Sequence, residues 1–248
     1  MNATVILVHG AFAESSSWSD VVRKLTGAEH RVIAFANPLR SLAGDAAQLT
    51  EFVKTIDGPI VLAGHSYGGA VISNVPAEAG DIVGLVFVAA FALDAGESSG
   101  DASSLVPGGT LAETIETVPL PDGGVDQYIA QDKFRAQFCA DVPEETATVM
   151  AVTQRPVTEA ALSEPSTNDP LWKQVPSWFI FGDQDQNIPV GAHRIMAERA
   201  NAKSIQEIPG ASHSVGVSHA EETAETIIEA ARSKYRSGLT AYGRPNRS

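Results

Sequence analysis

The sequence predicts an α/β protein with a mostly parallel central sheet and helices on both faces of that sheet. Short apolar runs at residues 60–63 and 82–90 contain no charged side chain and are too short for ordinary helices, so we expect strands that are buried on both faces. Segments with helical periodicity lie between these runs, and this alternation is typical of right-handed βαβ units. At 248 residues the chain is long enough for one such domain with an insertion.

The first third of the chain supplies four predicted strands and three predicted helices. Trp18, Val21 and Leu25 recur at helical spacing behind three serines, any of which can cap a helix. Asn37 and Pro38 end the second apolar run, and an amphipathic helical face follows them. The predicted strands are 4–8, 31–36, 60–63 and 82–90, and the predicted helices begin near residues 18, 42 and 68.

The alternation stops near residue 92 and resumes near residue 173. An insertion this long without structure of its own is improbable in a compact domain, so we expect a helical cap over the carboxyl ends of the strands. Helix-like patterns occupy residues 125–138 and 143–152 of this insertion. We therefore expect a core of residues 1–91 and 173–236, with further strands at 177–182 and 204–208 and helices at 190–200 and 220–235, a cap of residues 92–172, and a flexible tail of residues 237–248.

Composition argues against several classes of partner and site. The chain has 30 acidic and 17 basic residues and a formal charge of −13, which disfavours binding to nucleic acid. Cys139 is the only cysteine, so no disulfide within the chain, zinc-thiolate site or iron-sulfur site can form. The N-terminal apolar run is too short for a signal segment or a membrane span, so we expect a soluble, cytoplasmic protein without a membrane partner.

The central motif is Gly64-His65-Ser66-Tyr67-Gly68, which lies between a predicted strand and a predicted helix. This G-x-S-x-G pattern is the nucleophile elbow, a strained turn that exposes a serine hydroxyl. The two glycines are expected where any side chain would collide with the neighbouring strand or helix. The strand before the motif and the helix after it favour Ser66 as a nucleophile over an ordinary glycine-rich turn.

Four motifs together resemble the α/β-hydrolase family. They are LVHGAF at 7–12, GHSYGG at 64–69, FGDQDQNIP at 181–189 and GASH at 210–213. Within the family they are most similar to small bacterial and plant esterases related to salicylate-ester and pyrethroid-type esterases. The resemblance implies the α/β-hydrolase fold, with a helical cap inserted after the sixth-strand equivalent, and a Ser-His-Asp triad. It also implies a small-molecule ester substrate and no cofactor.

The resemblance implies an order of serine, acid and histidine along the chain. The family spacing from Gly182 to Pro189 selects Asp185 as the acid, and Asp183 is then interpreted as a turn former. Asp94 stays open as an alternative, because some family members carry the acid after the strand equivalent to 82–90.

Three histidines follow the cap. His213 comes directly after the last predicted strand, where the carboxyl edge of the sheet would present a base beside the elbow, so we predict that it is the base. His219 is the alternative, although capping or exposure at the start of the last helix suits it better. The spacing of His193 within its helix predicts a surface residue.

Acyl transfer also needs hydrogen-bond donors for the oxyanion and walls for the pocket. The backbone N–H groups of Tyr67 and, by resemblance, Ala11 are the expected donors, and Phe12 is the neighbouring candidate. His9 and His65 match family positions that brace these loops. The expected substrate-binding side chains are Phe12, Phe91, Phe134, Phe138, Val149 and Trp172.

Three classes of function fit these residues. The first is a serine carboxylesterase for small, largely apolar esters, and the second is a cofactor-free lyase or perhydrolase on the same triad. The third is a non-catalytic receptor, which would be expected to have a damaged triad. No metal site is expected, since the six histidines are dispersed and there is no H-E-x-x-H, and no dinucleotide fingerprint is present. Acyl and alcohol specificity and the choice between monomer and homodimer stay open.

Overall fold

The computed structural model describes residues 2–167 and 169–239, with side chains up to Ser233. Six parallel strands form the central sheet, in the order β2-β1-β3-β4-β8-β9 when strands are numbered along the chain. All six carboxyl ends therefore lie at one edge of the sheet. The strands are β1 (Thr4–Val8), β2 (Val32–Phe35), β3 (Pro59–His65), β4 (Asp81–Val88), β8 (Ser177–Gly182) and β9 (Ser204–Ile208).

The burial of each strand matches its position in the sheet, as expected for a sheet that is covered on both faces. Strands β1, β3 and β4 occupy the middle of the sheet, and nearly all of their side chains are buried. Strands β2 and β9 lie at the two edges and are only partly buried. The pattern follows from the topology, because only central strands are covered on both faces and flanked on both sides.

Helices cover both faces of this sheet. Helix α1 (Ser19–Gly27) packs against α10 (Ala220–Leu239), and α2 (Leu42–Val53) packs against α3 (Tyr67–Ser73). Helix α2 begins where the Ser41 side chain accepts a hydrogen bond from Gly44 N–H at 3.1 Å, which is an N-cap. The remaining core helices are α8 (Val190–Arg199) and α9 (Val215–Ser218).

The last helix continues further than predicted. Helix α10 runs to Leu239, so it includes the first three residues of the predicted tail 237–248. Its buried face includes Ala224, Ile227 and Ala231, which recur at the predicted spacing. The rest of the tail, and the side chain of Tyr235, lie outside the described residues. No helix among residues 2–167 and 169–239 has the length and apolar character needed to cross a membrane.

The insertion of residues 92–172 contains strands as well as helices. Its three strands form an antiparallel sheet in the order β5-β6-β7, and residues 125–129 are a strand of that sheet rather than the start of a helix. The predicted helix at 143–152 is present with nearly the same ends. The elements are α4 (Ser99–Ser103), β5 (Ile115–Pro119), β6 (Val125–Ile129), α5 (Gln131–Phe138), α6 (Glu144–Thr153), β7 (Val157–Thr158) and α7 (Glu159–Ser163).

Candidate active site

Ser66 lies on a tight turn between β3 and α3. Its backbone angles are φ 54° and ψ −123°, a region that residues with a side chain avoid at a cost of about 1–3 kcal/mol. A Cβ atom on Gly64 would stand 2.6 Å from the carbonyl carbon of Gly68, and one on Gly68 would stand 2.3 Å from Val8 O. Both distances are far inside van der Waals contact. Glycine is therefore required at both positions, as the sequence predicts.

Ser66 lines a cavity of about 670 Å³ at the carboxyl edge of the sheet. Core residues Ala11, Phe12 and Phe91 form part of its wall, and residues of the insertion form much of the rest. None of the described side chains that line the cavity is charged. The insertion contributes the aliphatic side chains Val106, Leu111, Ile115 and Leu162 and the polar side chains Ser103, Ser104 and Gln127.

Asp185 lies in the loop after β8 and its carboxylate is fully buried. Its Oδ1 accepts hydrogen bonds from the backbone N–H groups of Asn187, at 2.8 Å, and Ile188, at 2.9 Å. Burial alone would raise the pKa of Asp185, but the charge interactions and hydrogen bonds of the neighbouring His213 and His193, above all His213, hold that pKa well below its usual range. The carboxylate is therefore ionised and fixed in orientation.

His213 is fully buried in the loop after β9, and its Nδ1 lies 2.7 Å from Asp185 Oδ2. Its carbonyl oxygen accepts a hydrogen bond at 3.0 Å from Nε2 of His65, the residue that precedes Ser66. The elbow and the histidine loop are thus directly joined. Within the described part of the chain, His213 Nε2 has no hydrogen-bond partner, so the bond to Ser66 Oγ is not formed here. Such bonds are often long before a substrate binds.

The prediction that His193 is a surface residue is wrong. Its ring is fully buried, and its Nε2 lies 3.0 Å from Asp185 Oδ2, the same oxygen that His213 contacts. The ring also stacks on Phe181, with centroids 4.7 Å apart and planes 10° from parallel. Helical spacing along α8 could not reveal this environment, because the partner of His193 comes from the loop that precedes the helix.

The loop after β1 lies directly against the elbow. A Cβ atom on Gly10 would stand 2.6 Å from Ser66 Cβ and 3.1 Å from the backbone nitrogen of Tyr67. In the described ranges, the backbone N–H groups of Ala11 and Tyr67 donate to no protein acceptor, whereas Phe12 N–H donates to Arg155 O at 3.1 Å. Of the three N–H groups predicted as candidate oxyanion donors, those of Ala11 and Tyr67 therefore have no acceptor within the described residues, and that of Phe12 is occupied.

His9 is buried beneath the same loop. Its ring contacts Gly10 O through Nδ1 at 3.0 Å and accepts a hydrogen bond from Asn37 N–H through Nε2 at 3.1 Å. Burial lowers the pKa of His9 to about 4 and that of His65 to about 3, so both rings are neutral at pH 7. Their positions fit the predicted bracing role, since each ring ties a loop beside Ser66 to a second segment.

A profile of the family described as "Alpha/beta hydrolase family" matches residues 5–226, which is most of the chain. The chain belongs to the alpha/beta hydrolase family. No curated protein sequence matches it significantly. This membership confirms the fold class that the sequence motifs predict.

Solved structures agree with the family at the level of the fold. Polyneuridine aldehyde esterase superposes with a TM-score of 0.77 at 20% identity, covering 92% of this chain and 99% of that one. A pyrethroid hydrolase from Sphingobium faniae JZ-2 has a TM-score of 0.73 at 20% identity, with 94% and 99% coverage. Tomato methylketone synthase I, solved as a variant with beta-ketoheptanoate, has a TM-score of 0.75 at 19% identity, with 95% and 99% coverage.

Four of the six predicted pocket side chains lie outside the cavity that contains Ser66. Phe12 and Phe91 line it. Phe138 instead packs 5.0 Å from the His213 ring, with Phe134 behind it. Trp172 donates from Nε1 to Leu93 O at 2.9 Å, and Val149 is 58% exposed beside a separate surface depression. Aromatic side chains are common in cores, and residue type alone did not separate these from pocket walls.

The alternatives to Asp185 and His213 lie away from the buried pair. Asp183 accepts a hydrogen bond from Gly210 N–H at 2.7 Å, as expected of a turn former. Asp94 forms an exposed ion pair with Lys173 at 2.6 Å. His219 is part-exposed and contacts Glu222 at 3.5 Å.

The insertion is tied to both candidate catalytic loops by side chains that the sequence analysis did not single out. Gln137 donates to Asn187 Oδ1 at 2.7 Å, beside Asp185. Ser214, beside His213, donates to Phe138 O at 2.9 Å, and Ser212 donates to Asp141. These contacts join residues far apart in sequence and leave no local pattern. A spacing argument could not have found them.

We expect the stability of the protein to fall between pH 6.5 and about pH 4. In this window the unfolded chain binds protons at His9 and His65, while burial keeps the folded rings neutral, so lowering the pH favours unfolding. Each ring contributes a slope of about 1.4 kcal/mol per pH unit. Urea unfolding at pH 7.5 and pH 5.5 measures the change. A His9→Gln variant should show a shallower pH dependence, and an unfolding midpoint that is constant over this window would contradict the expectation.

Proposed function

We propose that the protein is a serine carboxylesterase that hydrolyses small, uncharged esters through an acyl-enzyme. The observation that supports this most is the buried pair of Asp185 and His213, whose loop is hydrogen-bonded to His65 beside a strained Ser66 that lines an uncharged cavity. Family membership supports hydrolase chemistry in general. The roles of the three residues are our proposal.

In the proposed mechanism, Ser66 Oγ attacks the ester carbonyl carbon and its proton passes to His213 Nε2. Asp185 holds the ring so that Nδ1 keeps its proton and Nε2 is free to accept one. The oxyanion accepts hydrogen bonds from the N–H groups of Ala11 and Tyr67, each worth about 3 kcal/mol in the transition state. His213 then returns the proton to the leaving alcohol, and water repeats the sequence on the acyl-enzyme to release the acid.

The site favours hydrolysis over lyase chemistry. Ala11 and Phe12 place no polar side chain beside the proposed oxyanion donors, where a lyase would be expected to hold a second polar group of its substrate. The intact buried pair also disfavours a receptor that has lost its catalytic residues.

A panel of p-nitrophenyl esters of graded chain length tests the proposal. Neutral esters should be hydrolysed, and an ester that carries a free carboxylate should be a much poorer substrate, because the described lining supplies no cation to pair with it. A serine-directed phosphonate should stop turnover. Cleavage of a cyanohydrin or a β-keto acid by a protein that leaves every ester intact would contradict the proposal.

We expect the insertion to set the preferred ester length. Leu162 lines the cavity with Ser66, so Leu162→Ala should favour longer acyl chains by about tenfold in relative kcat/KM, and Leu162→Phe should disfavour them. Turnover of the acetate ester should change little. Val149→Ala, on the exposed face of α6, is the matched control. Equal losses on all esters would show that the insertion does not select the acyl group.

A further inference from the structure

The carboxylate of Asp185 is shared between two buried histidines. His213 Nδ1 lies 2.7 Å and His193 Nε2 lies 3.0 Å from the same oxygen, Oδ2. The other oxygen accepts from the N–H groups of Asn187 and Ile188. The carboxylate therefore has four donors, and one of them is a second ring that a Ser-His-Asp triad does not require.

The surroundings of His193 determine which of its two ring nitrogens carries the hydrogen. A carboxylate oxygen only accepts, so Nε2 of His193 carries the hydrogen of the shared contact. In the described ranges its Nδ1 is buried without a hydrogen-bond partner, and the ring lies flat on Phe181. A hydrogen on Nδ1 would be a buried donor with no acceptor, which is costly. His193 is therefore neutral, with its hydrogen on Nε2, and burial also lowers its pKa.

We propose that His193 is a positioning residue that tunes the base through Asp185. Its N–H competes with His213 for Oδ2, fixes the plane of the carboxylate and weakens the attraction of the carboxylate for a protonated His213. The carboxylate in turn holds the His213 ring in the orientation in which Nε2 can accept the proton of Ser66. This inference rests on the proposed function, because it assigns a role relative to the Ser66, His213 and Asp185 triad.

Other titratable groups surround this cluster but do not contact the carboxylate. His65 of β3 contacts the backbone of His213, and burial keeps it neutral at pH 7. Glu207 of β9 is paired with Arg194 on the surface. Burial lowers the pKa of His65 to about 3, so an effect of His193 on the pH profile between pH 5 and pH 8 is separable from the titration of that ring.

Two variants of His193 separate a positioning role from simple packing. His193→Gln keeps an N–H donor at a similar distance from the backbone, whereas His193→Phe keeps the ring volume and the stacking on Phe181 without a donor. We expect the glutamine variant to retain kcat/KM within about threefold. The phenylalanine variant should lose about tenfold or more, and the acid limb of its kcat/KM profile should move up by about 0.5 pH unit or more. Thermal unfolding of both variants reports any loss of packing.

The inference is overturned if the phenylalanine variant keeps the pH profile of the parent, or if both variants lose activity equally. Imidazole nitrogen NMR of the parent protein gives a second test that needs no substrate and no variant. It should show His193 as the neutral ring with hydrogen on Nε2, and a hydrogen on Nδ1 would overturn the inference. If the parent protein hydrolyses no ester, the proposed function fails, but the NMR measurement still determines which nitrogen of His193 carries the hydrogen.

Discussion

Replacing Ser66 with alanine is expected to abolish ester hydrolysis, with a loss in kcat of at least about 10³-fold. The change removes only the hydroxyl, and the glycines at 64 and 68, rather than the hydroxyl, make the strained turn possible. The fold and the affinity for a non-hydrolysable ester analogue should therefore be retained. Steady-state kinetics with p-nitrophenyl acetate and thermal unfolding measure the two effects.

Ser103→Ala is the matched control for this variant. Ser103 lines the same cavity, but its hydroxyl donates to Gly100 O within its own helix, so we expect no large change in kcat. Hydrolysis by Ser66→Ala within about tenfold of the parent would contradict the assignment of Ser66 as nucleophile.

The second large effect is expected for Asp185→Asn, with a loss of about 10⁴-fold in kcat. The two oxygens of this carboxylate accept four hydrogen bonds, whereas an amide has only one oxygen that can accept. Its NH₂ group would face donors, so the His213 ring would lose its orientation. Kinetics on the folded variant, verified by circular dichroism, measure the loss.

Asp183→Asn is the comparison for Asp185→Asn. Asp183 accepts from Gly210 N–H on the exposed side of the loop, and an asparagine oxygen can keep that bond. We expect activity within a few-fold of the parent. The assignment of the acid is wrong if Asp183→Asn proves the more damaging of the two.

The elbow was predictable because its constraints are local. The apolar run of β3, the two glycines and the serine lie within a dozen residues, and the backbone strain arises among them. The candidate base followed from the loop at the end of β9, since parallel strands place their carboxyl ends at one edge. The candidate acid was selected from two aspartates after β8 by the spacing of the family that the chain resembles. The Asp185 and His213 contact is a consequence of that topology.

We predicted His193 as a surface residue because the contacts that bury it are tertiary contacts, which the pattern of its own helix does not reveal. Its helix, α8, has only a weakly amphipathic pattern, and the residues that bury it come from β8 and the loop after it. Several side chains that we predicted as pocket walls lie outside the cavity that contains Ser66 for a similar reason. Phe134, Phe138 and Trp172 are buried aromatic residues, and nothing in their spacing distinguishes a core position from a cavity wall.

The strands of the insertion did have a local signal. Residues 120–124, with the sequence LPDGG, form the turn between β5 and β6, where Leu120 N–H donates to Gly124 O at 2.8 Å. A turn of this composition between two segments rich in β-branched residues indicates a hairpin. The helix-like pattern assigned to residues 125–138 concealed it, because the strand 125–129 leads almost directly into α5.

Mass spectrometry of the protein after reaction with a fluorophosphonate ester tests the proposed mechanism most directly. The account predicts one adduct per chain, on the peptide that contains Ser66, with activity lost in proportion to labelling. His213→Gln should slow the labelling greatly, because the hydroxyl then has no base. An adduct on a different residue, or complete inactivation with Ser66 unmodified, would contradict the account.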